Sequence, residues 1–158
     1  MQPISIIGIG SPIGDDQAGW LVIDELPKYL LLRPLKREIT LKKLNRPQLS
    51  LLADINKTDA LILVDAVVSE TMPIGAFQLF GWQDFITKKP FVSSHGVGVI
   101  EALALSEALG QLPPQVFLYG IEIDPANGLT KISAPVLQAI GPLADKIASQ
   151  VYDTLGHA

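Results

Sequence analysis

The chain has 158 residues, of which 48% are hydrophobic and 18% are charged; these values are typical of one globular domain over residues 1–158 and exclude a disordered or fibrous chain. The net charge of -4 gives no basic face of the kind that nucleic-acid binding requires. The absence of cysteine excludes disulfides, a cysteine nucleophile and thiolate metal sites, so any metal site must use oxygen and imidazole ligands.

Apolar periodicity divides the chain into alternating strands and helices. Short apolar or alternating runs predict strands, and apolar residues at steps of three or four predict helices. In chain order these are a strand at 3–8, a helix at 16–26 ended by Pro27, a strand at 38–44, a short helix opened by Pro47, strands at 60–67 and 76–80, a helix at 95–109, a strand at 116–123 and a helix capped by Ser133 that runs to Leu155.

This alternation predicts an α/β fold. Right-handed crossovers between successive strands produce a three-layer α/β/α sandwich, in which a mostly parallel, twisted, five-stranded sheet is flanked by helices. In such folds ligands bind beyond the carboxyl ends of the strands. Functional side chains are therefore expected where strands pass into loops.

The first strand leads into GIGSPIGDDQAG, residues 8–19, with four glycines and two adjacent aspartates. A dinucleotide-binding turn would place its third glycine at position 13, whereas here that glycine is Gly14, and no acid ends the second strand. The glycines instead suit a tight turn off the strand. We expect Asp15 to cap the first helix and Asp16 to project from the turn.

Three side chains that can bind a metal fall at strand-to-loop positions on the expected ligand edge. Asp16 follows the first strand, Asp65 follows ALILV, and His95 begins a later helix. Two carboxylates and one imidazole with open coordination positions suit a divalent transition metal. Each residue also has a structural interpretation: a helix cap for Asp16, a hydrogen bond to the next turn for Asp65, and a structural histidine beside a serine cap for His95.

Two other features leave alternatives open. Ser11, His95 and Asp65 are the residue types of a serine hydrolase, although no G-x-S-x-G elbow exposes the serine. The connection at 81–94 is longer than most, so it is either a substrate-contact surface or a loop with a few core anchors. The residues that would form the substrate-contact surface are Trp82, Phe85, Lys88, Lys89 and Phe91.

No segment of the sequence has the pattern of a membrane span or a secretory signal. The run ALILV at 60–64 is interrupted by Asp65, whereas a spanning helix needs about 20 apolar residues. Met1-Gln2-Pro3 lacks the basic residues that open a signal peptide. We expect a cytoplasmic protein without a transmembrane helix.

GIGSPIGDDQAG, followed in order by LILVDAVVS, PIGAF, SSHGVGVIEAL and LYGIEI, resembles the hydrogenase maturation endopeptidases over nearly the whole chain. The resemblance implies a mostly parallel sheet between helices and a protease that removes the C-terminal extension of the nickel-iron hydrogenase large-subunit precursor. It places the family's catalytic and nickel-recognising positions on Asp16, Asp65 and His95. The implied partner is the precursor, the implied metal is the precursor's nickel, and the enzyme is expected to be a monomer; whether it holds a metal of its own is left open.

The chain departs from the family pattern at two places. LNRPQ at 44–48 stands where many members have an Asp-Gly-Gly-Thr turn, which leaves the type of hydrogenase open. Asp16 stands where some members have glutamate, which has the same ligand chemistry and a longer reach. A nickel-dependent docking chaperone of the same fold and a hydrolase that uses Ser11 are the alternatives.

Overall fold

The computed structural model describes residues 2–45, 48–84, 92–93, 96–127 and 131–155. Within these ranges the structure has six strands, four α-helices of eight or more residues and several shorter helical segments. The strands are β1 (Ile4–Ile9), β2 (Ile39–Leu44), β3 (Ala60–Val68), β4 (Phe77–Gly81), β5 (Val92–Ser93) and β6 (Gln115–Glu122). The helices are α1 (Ala18–Leu30), α2 (Gln48–Ile55), α3 (Gly96–Ala108) and α4 (Ala134–Gln150), with 3-10 turns at Gly14–Gln17 and Pro125–Asn127 and a π-helical segment at Val151–Leu155.

Five strands form a mostly parallel sheet in the order β2, β1, β3, β6, β4. β1 pairs in parallel with β2 and β3, and β3 pairs in parallel with β6. β4 is antiparallel to β6, and the two-residue strand β5 is antiparallel to the end of β3. The predicted fold class is confirmed, and β5 adds a short sixth strand to the five that were expected.

The sheet lies between two helical layers. Side chains of successive strand residues point to opposite faces: Ile4 and Ile6 join the apolar core formed with α1 and α4, while Ile7 and Ile9 join the core formed with α2 and α3. Strand β3 is buried from Ala60 to Val67, as expected for the central strand of a three-layer sandwich.

The first helix begins and ends later than predicted. A 3-10 turn occupies Gly14–Gln17, and α1 continues to Leu30 with Pro27 inside it, although proline cannot donate the usual bond to the carbonyl four residues earlier. Tertiary contacts hold this last turn, since the Tyr152 hydroxyl lies 2.5 Å from the Leu30 carbonyl oxygen and 3.1 Å from that of Tyr29.

A contact between glycine backbones seats α1 on the sheet. A Cβ atom on Gly8 of β1 would lie 2.3 Å from the Gly19 carbonyl oxygen. A Cβ atom on Gly19 would lie 2.2 Å from the Ile9 carbonyl oxygen and 2.7 Å from that of Val64. Only glycine at both positions lets the start of α1 rest directly on the end of β1 and the middle of β3.

In the part of the chain that the structure describes, none of the helices combines the length and apolar character needed to cross a bilayer.

Gly8→Ala is expected to lower the free energy of unfolding by about 3 kcal/mol, because the added methyl group meets a backbone oxygen that cannot rotate away. Urea unfolding monitored by circular dichroism measures the loss. Gly81→Ala is the control, since its Cβ would make an ordinary 3.7 Å contact with Asp84 Oδ2. Equal unfolding midpoints for the two variants would contradict the close packing at Gly8.

Tyr119 provides a prediction for alkaline pH. Burial raises the pKa of its hydroxyl from 10.0 to about 12. Because the folded state holds this proton more tightly than the unfolded state, its contribution to stability is complete below pH 10 and is lost as the pH rises through 12. Urea midpoints of the wild type should therefore fall more steeply between pH 10 and 12 than those of Tyr119→Phe; parallel curves would contradict the shift.

Candidate functional site

The segment after β1 is a compact turn closed by its own backbone. The Ser11 amide donates to the Asp16 carbonyl oxygen at 3.1 Å, and the Asp16 amide donates to the Ile13 carbonyl oxygen at 3.1 Å. Gly14 has φ +51°, a left-handed conformation that favours glycine. We call residues 11–17 the acidic turn.

The amides of this segment are occupied in a way that does not suit a phosphate cradle. The Gly10 amide donates to the Leu44 carbonyl oxygen at 3.0 Å, and the Ser11 amide to that of Asp16. A phosphate cradle needs such N–H groups directed at the ligand. The dinucleotide interpretation, already weakened by glycine spacing, is therefore not favoured by the geometry.

Asp15 has a different role from the one predicted. Its side chain is 1% exposed, and its carboxylate accepts hydrogen bonds from the Ser133 amide at 2.6 Å and the Ser133 hydroxyl at 2.9 Å. Neither the acidic turn's 3-10 segment nor α1 has a side-chain N-cap bond. The expectation that Asp15 caps the first helix is wrong: it fixes the acidic turn to Ser133, the residue that precedes α4.

Asp16 is half-buried on the acidic turn, and the turn lies against β3. A Cβ atom on Gly10 would lie 2.5 Å from the Asp16 carbonyl oxygen, so the chain returns directly over the end of β1. Asp15 is bonded to Ser133, and Asp16 is the second acidic residue of the turn that lies against the central strand.

Asp65 is 2% exposed on β3, and its Oδ1 accepts the Ala66 amide at 2.8 Å. Its neighbours Val64 and Ala66 belong to the core formed with α1 and α4, so its side chain points to the opposite face of the sheet. The strand continues for three residues beyond it, to Val68.

Strand pairing leaves a gap beside Asp65. β1 pairs with β3 only as far as Gly8 and Val64, whereas β6 follows the other side of β3 as far as Val67. β5, which pairs with Val67 and Val68, must therefore lie on the side that β1 has left. On that side of β3, among the described strands, pairing with β1 stops at Val64 and pairing with β5 begins at Val67.

This gap coincides with the reversal of strand order. β2 lies on one side of β1 and β3 on the other, so the connections after β1 and β2 turn in opposite directions. Such a switch point opens a crevice at the carboxyl ends of the strands, where ligands bind in α/β folds. Asp65 lies on β3 beside this switch point, and the convergence of Asp16 and Asp65 there stays a prediction.

His95 lies outside the described residues, so the three-residue metal site stays a prediction. Among the described residues, no three acidic or imidazole side chains form a cluster that could hold a metal ion. Ser93, two residues before His95, pairs with Val67, two residues after Asp65.

Sequence reasoning missed Glu122, which ends β6 at the same edge. Its side chain is 3% exposed and binds the turn that follows β3. The rule that selected Asp65, an acid at the end of an apolar strand, also applies to VFLYGIEI and could have found it.

The predicted substrate-contact loop is only partly described. Trp82 is 6% exposed and packs in the core formed with α2 and α3, which agrees with the interpretation of a loop with core anchors and not with a contact surface at this residue. Because β4 is antiparallel to β6, Trp82 also follows the strand at the edge opposite the carboxyl ends. Residues Phe85, Lys88, Lys89 and Phe91 lie outside the described residues.

Comparison with known proteins agrees with this architecture. The family model described as hydrogenase maturation protease matches residues 47–150. The structure is similar to the hydrogenase maturating endopeptidase HybD from E. coli, with 21% identity, 96% of this chain and 93% of that chain covered, and a TM-score of 0.75. It is also similar to the NiFe hydrogenase maturation protease HycI from Thermococcus kodakarensis, with 22% identity, 96% and 94% covered, and a TM-score of 0.72. No curated protein sequence matches the chain.

Asp15→Ala is expected to cost roughly 2 kcal/mol of unfolding free energy, because it leaves two half-buried donors of Ser133 without their charged acceptor. Ser133→Ala removes one donor and should cost about 1 kcal/mol. Urea unfolding of the two single variants and the double variant measures the coupling between them. Additive losses would contradict a direct bond, and Asp145→Ala, an exposed acid on α4, is the control.

Proposed function

The chain belongs to the hydrogenase maturation protease family, and we propose that it is the endopeptidase that removes the C-terminal extension of a nickel-iron hydrogenase large-subunit precursor after nickel insertion. Members of this family are peptide hydrolases, and the family model matches about two thirds of the chain. The observation that carries the proposal is the reversal of strand order between β1 and β3, the edge to which we assign Asp16 and Asp65.

In this proposal Asp16, Asp65 and His95 contact the nickel ion that the precursor carries. Carboxylate oxygens and an imidazole nitrogen are ligands that divalent nickel accepts. Ser93 pairs antiparallel with Val67. Ser93 comes two residues before His95, and Val67 comes two residues after Asp65. This register supports the inclusion of His95.

The nickel ion belongs to the substrate and not to the enzyme. Three ligands with open positions can complete the coordination of a metal that the precursor already holds, so that binding depends on the metal. A precursor without nickel lacks this interaction, which makes removal of the extension follow metal insertion. Once the metal is bound, it can polarise the scissile carbonyl group or activate water.

The burial of Asp65 suits such a role. Because Asp65 is 2% exposed, water competes little with a cation for its carboxylate oxygens. Electrostatic attraction to a cation is also stronger where water is excluded. The bond from the Ala66 amide holds one of its oxygens in place. The half-buried Asp16, on the acidic turn, approaches the same crevice from the α1 side.

The central prediction is metal-dependent processing. Incubated with purified protein, a nickel-loaded precursor should lose its C-terminal extension, detected by mass spectrometry, whereas the nickel-free precursor should stay intact. Equal cleavage of both forms would contradict recognition of nickel. Nickel-dependent binding without mass loss would instead support the docking chaperone.

Asp16→Ala and Asp65→Asn are expected to lower kcat/KM for the nickel-loaded precursor by at least about 100-fold, since even indirect support of a metal ligand is worth 10- to 100-fold. His95→Ala should have the same effect. Asp16→Glu should retain activity because it keeps the ligand chemistry. Asp145→Ala is the control for loss of charge, and Ser11→Ala should retain activity; an inactive Ser11→Ala variant would favour the hydrolase that uses Ser11.

The proposal also includes action in the cytoplasm by a monomer. Size-exclusion chromatography with light scattering measures the state of assembly, and fractionation of cells that express the tagged protein measures its location.

A further inference from the structure

Glu122 is a buried carboxylate that the proposed mechanism does not use. It accepts hydrogen bonds from the Ser69 amide at 2.9 Å to Oε1 and 3.1 Å to Oε2, from the Ser69 hydroxyl at 2.7 Å and from the Glu70 amide at 3.1 Å. All these donors lie in the turn that follows β3. The whole carboxylate is therefore engaged in holding one turn.

The backbone of Glu122 holds the other end of the same connection. Its amide donates to the Ala76 carbonyl oxygen at 2.8 Å, and its carbonyl oxygen accepts the Gly75 amide at 2.8 Å. Residues 69–76 join β3 to β4, and we call them the β3–β4 connection. One residue thus fixes this connection at its start through the side chain and at its end through the backbone.

The turn at the start of the connection has a conformation that needs such support. Glu70 has φ +59°, a backbone conformation that residues other than glycine, asparagine and aspartate seldom adopt. Strained backbone of this kind persists where surrounding contacts fix it, and it is common at functional sites. The Ser69 hydroxyl continues the support by accepting bonds from the Thr71 amide at 3.2 Å and the Thr71 hydroxyl at 2.9 Å.

The turn lies beside the crevice that contains Asp65. Glu122 is the register partner of Val67, two residues beyond Asp65 on the adjacent strand. From strand geometry the Cα atoms of Glu122 and Asp65 are roughly 8 Å apart, and both side chains point away from the core formed with α1 and α4. The side chains of Glu70, Thr71, Pro73 and Ile74 are exposed at this edge.

We propose that Glu122 is a positioning residue for the processing reaction: it holds the β3–β4 connection as a fixed wall of the crevice, against which the peptide chain of the precursor is placed. The inference rests on the proposed function. Glu122 touches neither the metal nor the scissile bond in this account and acts through Ser69 and Glu70.

Glu122→Ala tests the proposal by steady-state processing of the nickel-loaded precursor. KM should rise at least about tenfold while kcat stays within about twofold, because the lost interaction positions substrate and does not take part in the chemical step. A variant that is merely less folded would show a lower apparent kcat at unchanged KM. Added acetate, which can occupy the space left by the carboxylate, should lower the KM of this variant, whereas sodium chloride should not.

A second measurement reports on the turn itself. Glutamyl endopeptidase should cut Glu122→Ala after Glu70 at least about ten times faster than the wild type, because cleavage follows the population of the opened turn. Glu107→Ala, which removes an exposed carboxylate bonded to Gln83, is the matched control. Ser69→Ala keeps the buried carboxylate and should change KM and cleavage in the same direction by a smaller factor, so it tests the proposal if Glu122→Ala does not fold.

The results separate this inference from the proposed function. A wild type that leaves the nickel-loaded precursor intact overturns the proposed function and this inference with it. A wild type that processes the precursor, together with a folded Glu122→Ala of unchanged KM, overturns the positioning role alone. An increase in KM with faster cleavage after Glu70 supports it.

Discussion

The close approach of Gly8 and Gly19 determines where the rest of the site can be. Because neither residue has a side chain, the start of α1 rests on the backbone of β1 and reaches the Val64 carbonyl oxygen of β3. The acidic turn, which ends where α1 begins, is thereby brought against the central strand β3. A larger residue at either glycine would lift the helix and carry Asp16 away from the crevice.

Several buried polar contacts fix the loops at the carboxyl ends of the strands. Asp15 binds Ser133 before α4, and Glu122 binds Ser69 after β3. Gly75 brings the connection after β3 against the start of α4, since a Cβ atom there would lie 2.5 Å from the Pro135 carbonyl oxygen. The loops therefore support each other through the buried carboxylates of Asp15 and Glu122.

The features that the sequence predicted are local, and those that it missed depend on distant residues. The glycine and aspartate pattern indicated a turn that carries Asp16, and the turn is found there. It did not reveal that Asp15 binds Ser133, because that partner is 118 residues away. Pro27 was expected to end α1, yet the hydroxyl of Tyr152 supports one more turn from the far end of the chain. For Trp82 the sequence left a contact surface and a core anchor both open, and the structure makes it a core residue.

The sequence by itself determined the alternation of strands and helices, the burial of β3 and the turn that carries Asp16, because these depend on local sequence patterns. Asp65, expected at a strand-to-loop position, lies inside β3, three residues before its end. The tertiary structure alone decided that β1 lies between β2 and β3, which opens the crevice beside Asp65. It also decided the roles of Asp15 and Glu122. These depend on which distant donors meet each carboxylate, and a local pattern holds no information about such partners until the sheet has assembled.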